Sequence, residues 1–179
     1  MIIAYAGVQA DEADRPVPRL PVAEEAGLAA RLRGLLAALT PRLVVGALAS
    51  GSDLLIVEQA RLEACDIRIL LPFDAETFKR TSVTPRGRRW EVRYDRLLAD
   101  LGGRVHVADL DQDADESFYE HNSAMLDYAV ELARPDEQIL GLVVRPAETD
   151  AGTVSDDFAN RAARAGITVL DVLTPPPAH

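Results

Sequence analysis

One cysteine among 179 residues, Cys65, excludes an intramolecular disulfide and any metal centre built from several thiolates. It is expected to sit inert near the end of a helix. Long hydrophobic runs are missing too. The longest, such as Ile139 to Val144, fall far short of the roughly 20 residues a membrane-spanning helix needs. No basic region precedes the apolar residues at the N-terminus, so a secretory signal is not expected, and the reading is of a cytoplasmic protein with no membrane partner. Basic side chains are in deficit: 19 Lys and Arg against 29 Asp and Glu leave a formal net charge of −10. A nucleic-acid polymer is therefore an unsuitable partner, because such binding requires a basic footprint. His106 and His121 have no companions at metal-ligand spacing, and neither a metal nor a cofactor is expected.

What remains is a globular composition, 48% hydrophobic, within the size of one domain. The expected organisation is a single domain over residues 1–173, followed by a disordered proline-rich tail over 174–179. One local exception to the acidic balance stands out. Between Lys79 and Arg96, seven basic residues (Lys79, Arg80, Arg86, Arg88, Arg89, Arg93, Arg96) face only Glu91 and Asp95. Such an island can focus a small anion, or it can be a solvated helix face laced with ion pairs.

Apolar spacing alternates between the two regular periods. Short β-like runs are predicted at Met1–Ala6, Arg42–Val45, Ile67–Leu71, Arg104–Val107, Gln138–Val144 and Ile167–Val172. Helices are predicted between them: one burying Leu28, Leu32, Leu35, Leu36 and Leu39, one over about 53–64, and a short turn at 75–78. Others are expected to bury Trp90, Tyr94, Leu97, Leu98 and Leu101, to follow a Ser117 cap as far as about 133, and to cover about 152–165. Ser117 and Glu120 have the spacing of a capping box. Strands separated by helices of this length imply right-handed crossovers. The expected fold class is α/β, a Rossmann-like, doubly wound, mainly parallel sheet with helices on both faces. In such sheets ligands bind beyond the carboxyl ends of strands. The loops of chemical interest, Gly7–Pro21, Gly46–Ser52, Pro72–Pro85 and Arg145–Gly152, all follow strands and can share one crevice.

Two turns carry most of the expectation. Val44-Val45-Gly46-Ala47-Leu48-Ala49-Ser50-Gly51-Ser52-Asp53 reads as strand, small-residue turn and helix start, a geometry in which open backbone N–H groups favour phosphate. Asp150-Ala151-Gly152-Thr153-Val154-Ser155-Asp156 repeats that pattern before the last helix. Thr153 can add a hydroxyl to a phosphate or ribose, and Asp156 can either assist cleavage at a glycosidic carbon or cap the helix. Candidate ligand-binding residues are Gly7, Gly46, Ala47, Ser50, Gly51, Asp53, Ser82, Arg93, Asn122, Gly152 and Thr153, with Asp156 the candidate catalytic residue. Asn122 shares a helical face with Phe118, Met125 and Ala129, so its amide either reads a ligand or caps a backbone group. Arg93, Glu58, Tyr94 and Tyr119 have ordinary structural uses beside their ligand-binding ones. Asp109, Asp111, Asp113, Asp115 and Glu120 imitate a calcium-loop spacing, but Ala114 stands where the loop needs glycine, and a solvated acidic loop is the preferred reading.

Gly46 to Asp53, Leu71-Pro72-Phe73 with Phe78 and Thr81-Ser82-Val83, Trp90 with Arg93-Tyr94, and Ala151-Gly152-Thr153 together resemble the SLOG superfamily, Rossmann-like domains related to the LOG phosphoribohydrolases and the DprA proteins. The resemblance runs from Gly7 to about Asp171. It implies a pocket for a nucleotide or an NAD- or ADP-ribose-derived ligand, used as a sensor in bacterial nucleotide-signalling or defence systems. Catalytic relatives carry a PGGxGTxxE turn, of which Gly152 and Thr153 match the GT, Asp156 replaces the glutamate, and the PGG is missing. Three functions follow as expectations: a nucleotide-binding sensor with phosphate seated against both glycine-containing turns, a LOG-like N-glycosidic hydrolase acting on nucleoside monophosphates, or an interaction and oligomerisation module without a ligand. A homodimer or larger homo-oligomer is compatible with each.

Overall fold

A computed structural model describes residues 1–12, 15–114, 116–146 and 152–174. Its centre is β1 (Ile2–Gly7), whose run Ile2 to Tyr5 is wholly buried, as a strand covered on both faces must be. Next comes α1 (Glu25–Leu39), entered through a 3-10 turn. It buries Leu28, Leu32 and Leu36 at four-residue intervals and ends at Thr40, directly before Pro41. Then follow β2 (Leu43–Gly46), α2 (Ser52–Leu62), β3 (Asp66–Leu71), α3 (Ala75–Ser82), α4 (Arg88–Leu101), β4 (Val105–Val107), α5 (Ser117–Glu131), β5 (Ile139–Pro146), α6 (Val154–Arg164) and β6 (Thr168–Thr174).

The six strands lie in the order β4-β3-β2-β1-β5-β6, and every neighbouring pair is parallel. The chain builds outward from β1 to β4, then crosses back to place β5 on the other side of β1. That reversal makes the β1/β5 boundary the switch point of the sheet. Helices cover both faces: α1 packs on α2 and α2 on α4, while α5 and α6 pack on each other. The doubly wound, Rossmann-like α/β class expected from the pattern is the observed one.

Several boundaries differ for local reasons. The turn expected at 75–78 is a full helix to Ser82, because the Asp74 carboxylate caps it by accepting from the N–H groups of Glu76 and Thr77. Ser117 does not cap α5. It is the first helical residue, and its hydroxyl donates to the carbonyls of Asp111 and Ala114, so the predicted capping box with Glu120 is not formed. Thr174 belongs to β6 rather than to the tail, its hydroxyl donating 2.7 Å to the Arg19 carbonyl. The rest of that tail, 175–179, lies outside the described residues, as does Asp115 of the acidic loop. Cys65 is half-buried before β3, and burial pushes its thiol above the ordinary range, which makes it a poor nucleophile at neutral pH.

At the amino edge of the sheet, Glu137 ties three parts of the chain together. It accepts two hydrogen bonds from Arg42 and one from the Arg134 N–H, and it pairs with the N-terminal amine of Met1. The carboxyl edge is left to the site.

Candidate ligand-binding site

A cavity of about 310 Å³ opens at the carboxyl edge over the β1/β5 switch point. Its floor is the end of β1 and the segment beyond it, Tyr5 to Gln9, with Arg19 further along the same loop. From β2 and α2 come Ala47, Ala49 and Asp53; from α3, Phe78, Thr81 and Ser82. Phe118, His121, Asn122 and Met125 of α5 form another wall, and Thr153, Val154 and Ser155 bring the start of α6. Six of the predicted residues therefore meet here: Gly7, Ala47, Asp53, Ser82, Asn122 and Thr153. Gly46, Ser50, Gly51, Arg93, Gly152 and Asp156 do not line it.

The glycine turn before α2 is closed by the protein itself. Ser50 N–H donates to the Ser82 carbonyl, Ser52 N–H to the Val8 carbonyl, and Ala49 N–H to the Asp53 carboxyl. The Ser50 and Ser52 hydroxyls reinforce the same two carbonyl contacts. Gly51, at φ +105°, lies so close to the loop after β1 that a Cβ would stand 2.7 Å from the Val8 oxygen. Gly46 is small for a different reason, since a side chain there would collide with the Tyr5 ring. These glycines join β1, β2 and α3, and the protein's own bonds take the N–H groups of Ala49, Ser50 and Ser52, on which the expected phosphate seat at this turn would draw.

At the other turn the helix start is open. Thr153 is a formal cap: its hydroxyl accepts from Asp156 N–H at 3.2 Å, and the Asp156 carboxylate accepts from the Thr153 N–H and hydroxyl at 3.1 and 2.9 Å. The other Asp156 oxygen accepts from Arg145, which also holds Asp171. Burial alone raises the proton affinity of Asp156, but the bonds from Thr153 and Arg145 outweigh it and hold the carboxyl below its ordinary range. Asp156, the candidate catalytic residue, is thus a capping residue with both oxygens hydrogen-bonded, one of them to Arg145. Gly152 sits outside the cavity at φ +93° with its carbonyl accepting from Tyr119. The first two helical N–H groups, of Val154 and Ser155, have no acceptor within the helix, and both residues line the cavity.

Asn122 holds a neighbouring backbone group, the second of its two predicted roles. Its amide nitrogen donates 2.8 Å to the Val154 carbonyl and 2.9 Å to Asp157, fastening α6 to α5, while the residue borders the cavity.

Three titratable groups sit deep in the walls. Burial pushes Asp53 up to about 7, against the weaker opposing effect of one 3.3 Å hydrogen bond from Ala49. Burial also drives His121 down to about 4, so its ring is neutral. Its Nε2–H donates to the Leu70 carbonyl, which leaves Nδ1 as an acceptor. The Tyr5 phenol, raised well above its ordinary value by burial and then by Asp53, donates 2.6 Å to the Ala47 carbonyl.

The basic island lies elsewhere. Arg93 makes a bidentate pair with Glu58 and stacks its guanidinium 4.2 Å from the centre of the Trp90 ring. Arg89 pairs with Glu25, Lys79 with Asp95, and Arg86 with Glu12 and Gln9. Four of the seven cations are thus held in ion pairs, and Arg93, expected to contact the ligand, lies outside the cavity. Among the described residues the cation bordering the cavity is Arg19, 3.5 Å from Asp11, in the loop after β1 that was expected to share the crevice but in which Arg19 itself was not singled out. Phe118, Met125 and His121 were also missed, because an apolar helix face reads the same whether it meets core or cavity.

Among the described residues no cluster of His, Cys, Asp or Glu could hold a metal ion, and no helix is long and apolar enough to cross a membrane. No family model and no curated protein matches the chain. Among solved structures, DNA processing protein A (DprA) from Streptococcus pneumoniae is similar at a TM-score of 0.32 and 13% identity, covering 94% of this chain. The chain spans 57% of that protein's length.

Proposed function

We propose that this cavity binds a small nucleotide-type anion and that the domain senses its ligand rather than cleaving it. The carrying observation is the α6 start at the switch point: two N–H groups with no partner among the described residues, at the positive end of a helix, border a cavity that Arg19 also lines. Phe78, Phe118 and Met125 supply apolar surface for a planar base. The volume suits an occupant at the small end of the usual range, about 300 Å³ upward, such as a nucleoside monophosphate. Sensing is favoured over N-glycosidic hydrolysis because the Asp156 carboxylate is committed to Thr153 and Arg145. The bacterial nucleotide-signalling and defence setting implied by the SLOG resemblance suits such a role. The partners in this reading are the small molecule and, in a homo-oligomer, further copies of the chain.

Val154→Pro tests the proposal cleanly. Position 154 is the first helical residue, where proline is well accepted, and Thr153 before it already has the extended backbone (φ −71°, ψ 161°) that a following proline prefers. The substitution deletes one N–H from the anion mouth and leaves the helix intact. Calorimetry with AMP is expected to show binding by the parent protein and affinity weakened about fivefold to tenfold in the variant, in line with one lost charge-assisted hydrogen bond. Absence of binding at millimolar AMP, or equal affinity in the variant, contradicts the proposal.

A further inference from the structure

We propose that Asp53 is the point at which the cavity recognises a neutral hydrogen-bond donor of its ligand, so that the preferred occupant is an anion that also carries a free hydroxyl or amino group. This rests on the reading of the cavity as a nucleotide site and assigns the half of the ligand that is not phosphate.

An acid in the first turn of a helix ordinarily complements the helix N-terminus from an exposed position. Asp53 stands in the first turn of α2 yet is 7% exposed and belongs to the cavity wall. One of its oxygens accepts a single long bond from Ala49, and the other has no partner among the described residues. A buried carboxyl so poorly satisfied is costly, and a leucine or asparagine would serve packing better.

Among the described residues, four side-chain donors of this region are spent on carbonyls. Tyr5 donates to Ala47, Ser50 to Ser82, Ser52 to Val8 and the His121 ring to Leu70. Apart from the Ala49 N–H, no described residue donates to Asp53, so its complement comes from the occupant. A ligand hydroxyl or amine that reaches the carboxyl from the cavity supplies the missing bond. Phosphate is the wrong group for this position, because a carboxylate repels it. The anion belongs at the α6 start and Arg19, and the donor at Asp53, which fixes the orientation of the ligand.

The charged state of Asp53 then governs affinity. Among the described residues, the other titratable groups facing the cavity are Tyr5 on β1, His121 on α5 and Arg19 in the loop after β1, while the polar side chains brought by α3 and the start of α6 are the hydroxyls of Thr81, Ser82, Thr153 and Ser155. Tyr5 is held protonated and His121 neutral through the neutral range, which leaves Asp53 to titrate there. A ligand donor favours the carboxylate over the acid, so affinity rises with pH.

The test uses calorimetry with AMP, its 2′-deoxy and 3′-deoxy forms, inosine monophosphate, which lacks the exocyclic amine, and AMP methylated on its phosphate so that the ligand itself does not titrate near neutrality. The proteins are the parent, Asp53→Asn and Asp53→Leu. From about pH 6 to about pH 8 the parent is expected to gain up to about tenfold in affinity for the methyl ester, and both variants to lose that dependence. Removing the recognised donor, a ribose hydroxyl or the amine, is expected to weaken the parent several-fold and leave Asp53→Leu unchanged. AMP binding that is equally tight and equally pH-dependent in both variants overturns the assignment while leaving the nucleotide site standing. Failure of the parent to bind any of these ligands removes the nucleotide site, and the assignment with it.

Discussion

The ring of Tyr5 occupies the space that a side chain at Gly46 would need: a Cβ built on Gly46 would lie 2.7 Å from Tyr5 Cδ2 and closer still to the next two ring atoms. The Tyr5 hydroxyl then donates to Ala47, the residue after that glycine. The first glycine of the turn thus lets a tyrosine from β1 cross beneath it. Gly46→Ala is expected to lower stability by about 1–3 kcal/mol through overpacking. Tyr5→Ala combined with it should be less destabilised than the sum of the single changes, a coupling that thermal denaturation of the four proteins measures.

Burial sets Asp53 against stability. Its proton affinity in the folded protein, near 7, exceeds the ordinary carboxyl value of 3.8, so the folded state holds a proton that the unfolded chain has released between those two limits. Stability should therefore fall as pH rises from about 4 to about 7, by up to about 1.4 kcal/mol per pH unit from this group, and level off above. Asp53→Asn should be more stable than the parent at about pH 8, with the gap closing towards pH 4. Urea titrations across that range check it.

Glu137 behaves in the opposite sense. The Arg42 hydrogen bonds, joined by the Arg134 N–H and the N-terminal amine, hold its carboxyl well below the ordinary value, against a smaller opposing effect of burial. Its contribution is fully present above the unfolded value, about 4.5, and is lost as pH falls below it. Glu137→Gln should lower the melting temperature at neutral pH and match the parent progressively more closely in acid.

Arg93 is predicted to matter for packing and not for ligand. Its pair with Glu58 is partly solvent-exposed and its guanidinium covers Trp90. Arg93→Ala should cost about 0.2–1 kcal/mol for the pair, with a further loss from the uncovered ring. AMP affinity should stay within twofold of the parent, and calorimetry beside a melting curve separates the two effects.

Asp156→Asn removes one member of a capping box and the partner of Arg145. A loss of about 1 kcal/mol is expected from the cap. If Asp156 were instead a catalytic carboxylate, release of free base from nucleoside monophosphates by the parent would disappear in the variant. The capping account expects no such release from either protein.

The edge at which the site sits was legible because β1, β2 and β5 announce themselves as apolar runs ending in glycine or at a loop, and parallel crossovers bring those ends together. Thr153 and Asp156 at cap spacing also declared the start of α6. The occupation of the glycine turn was not legible, since its N–H groups are taken by Val8 and Ser82, which lie far from it in sequence. Nor was the fate of Arg93, which depends on Glu58 in another helix, nor that of Ser117, whose hydroxyl finds loop carbonyls instead of capping its own helix. Arg19 was invisible for the same reason, because its place in the wall is set by how the loop after β1 returns to the end of β6.

A crystal structure at saturating AMP examines the cavity itself. The phosphate is expected within hydrogen-bond distance of the Val154 and Ser155 N–H groups, with a ligand hydroxyl or amine on Asp53. A nucleotide seated against α2 and α4 beside Arg93, or a cavity left without nucleotide at saturation, would contradict the assignment.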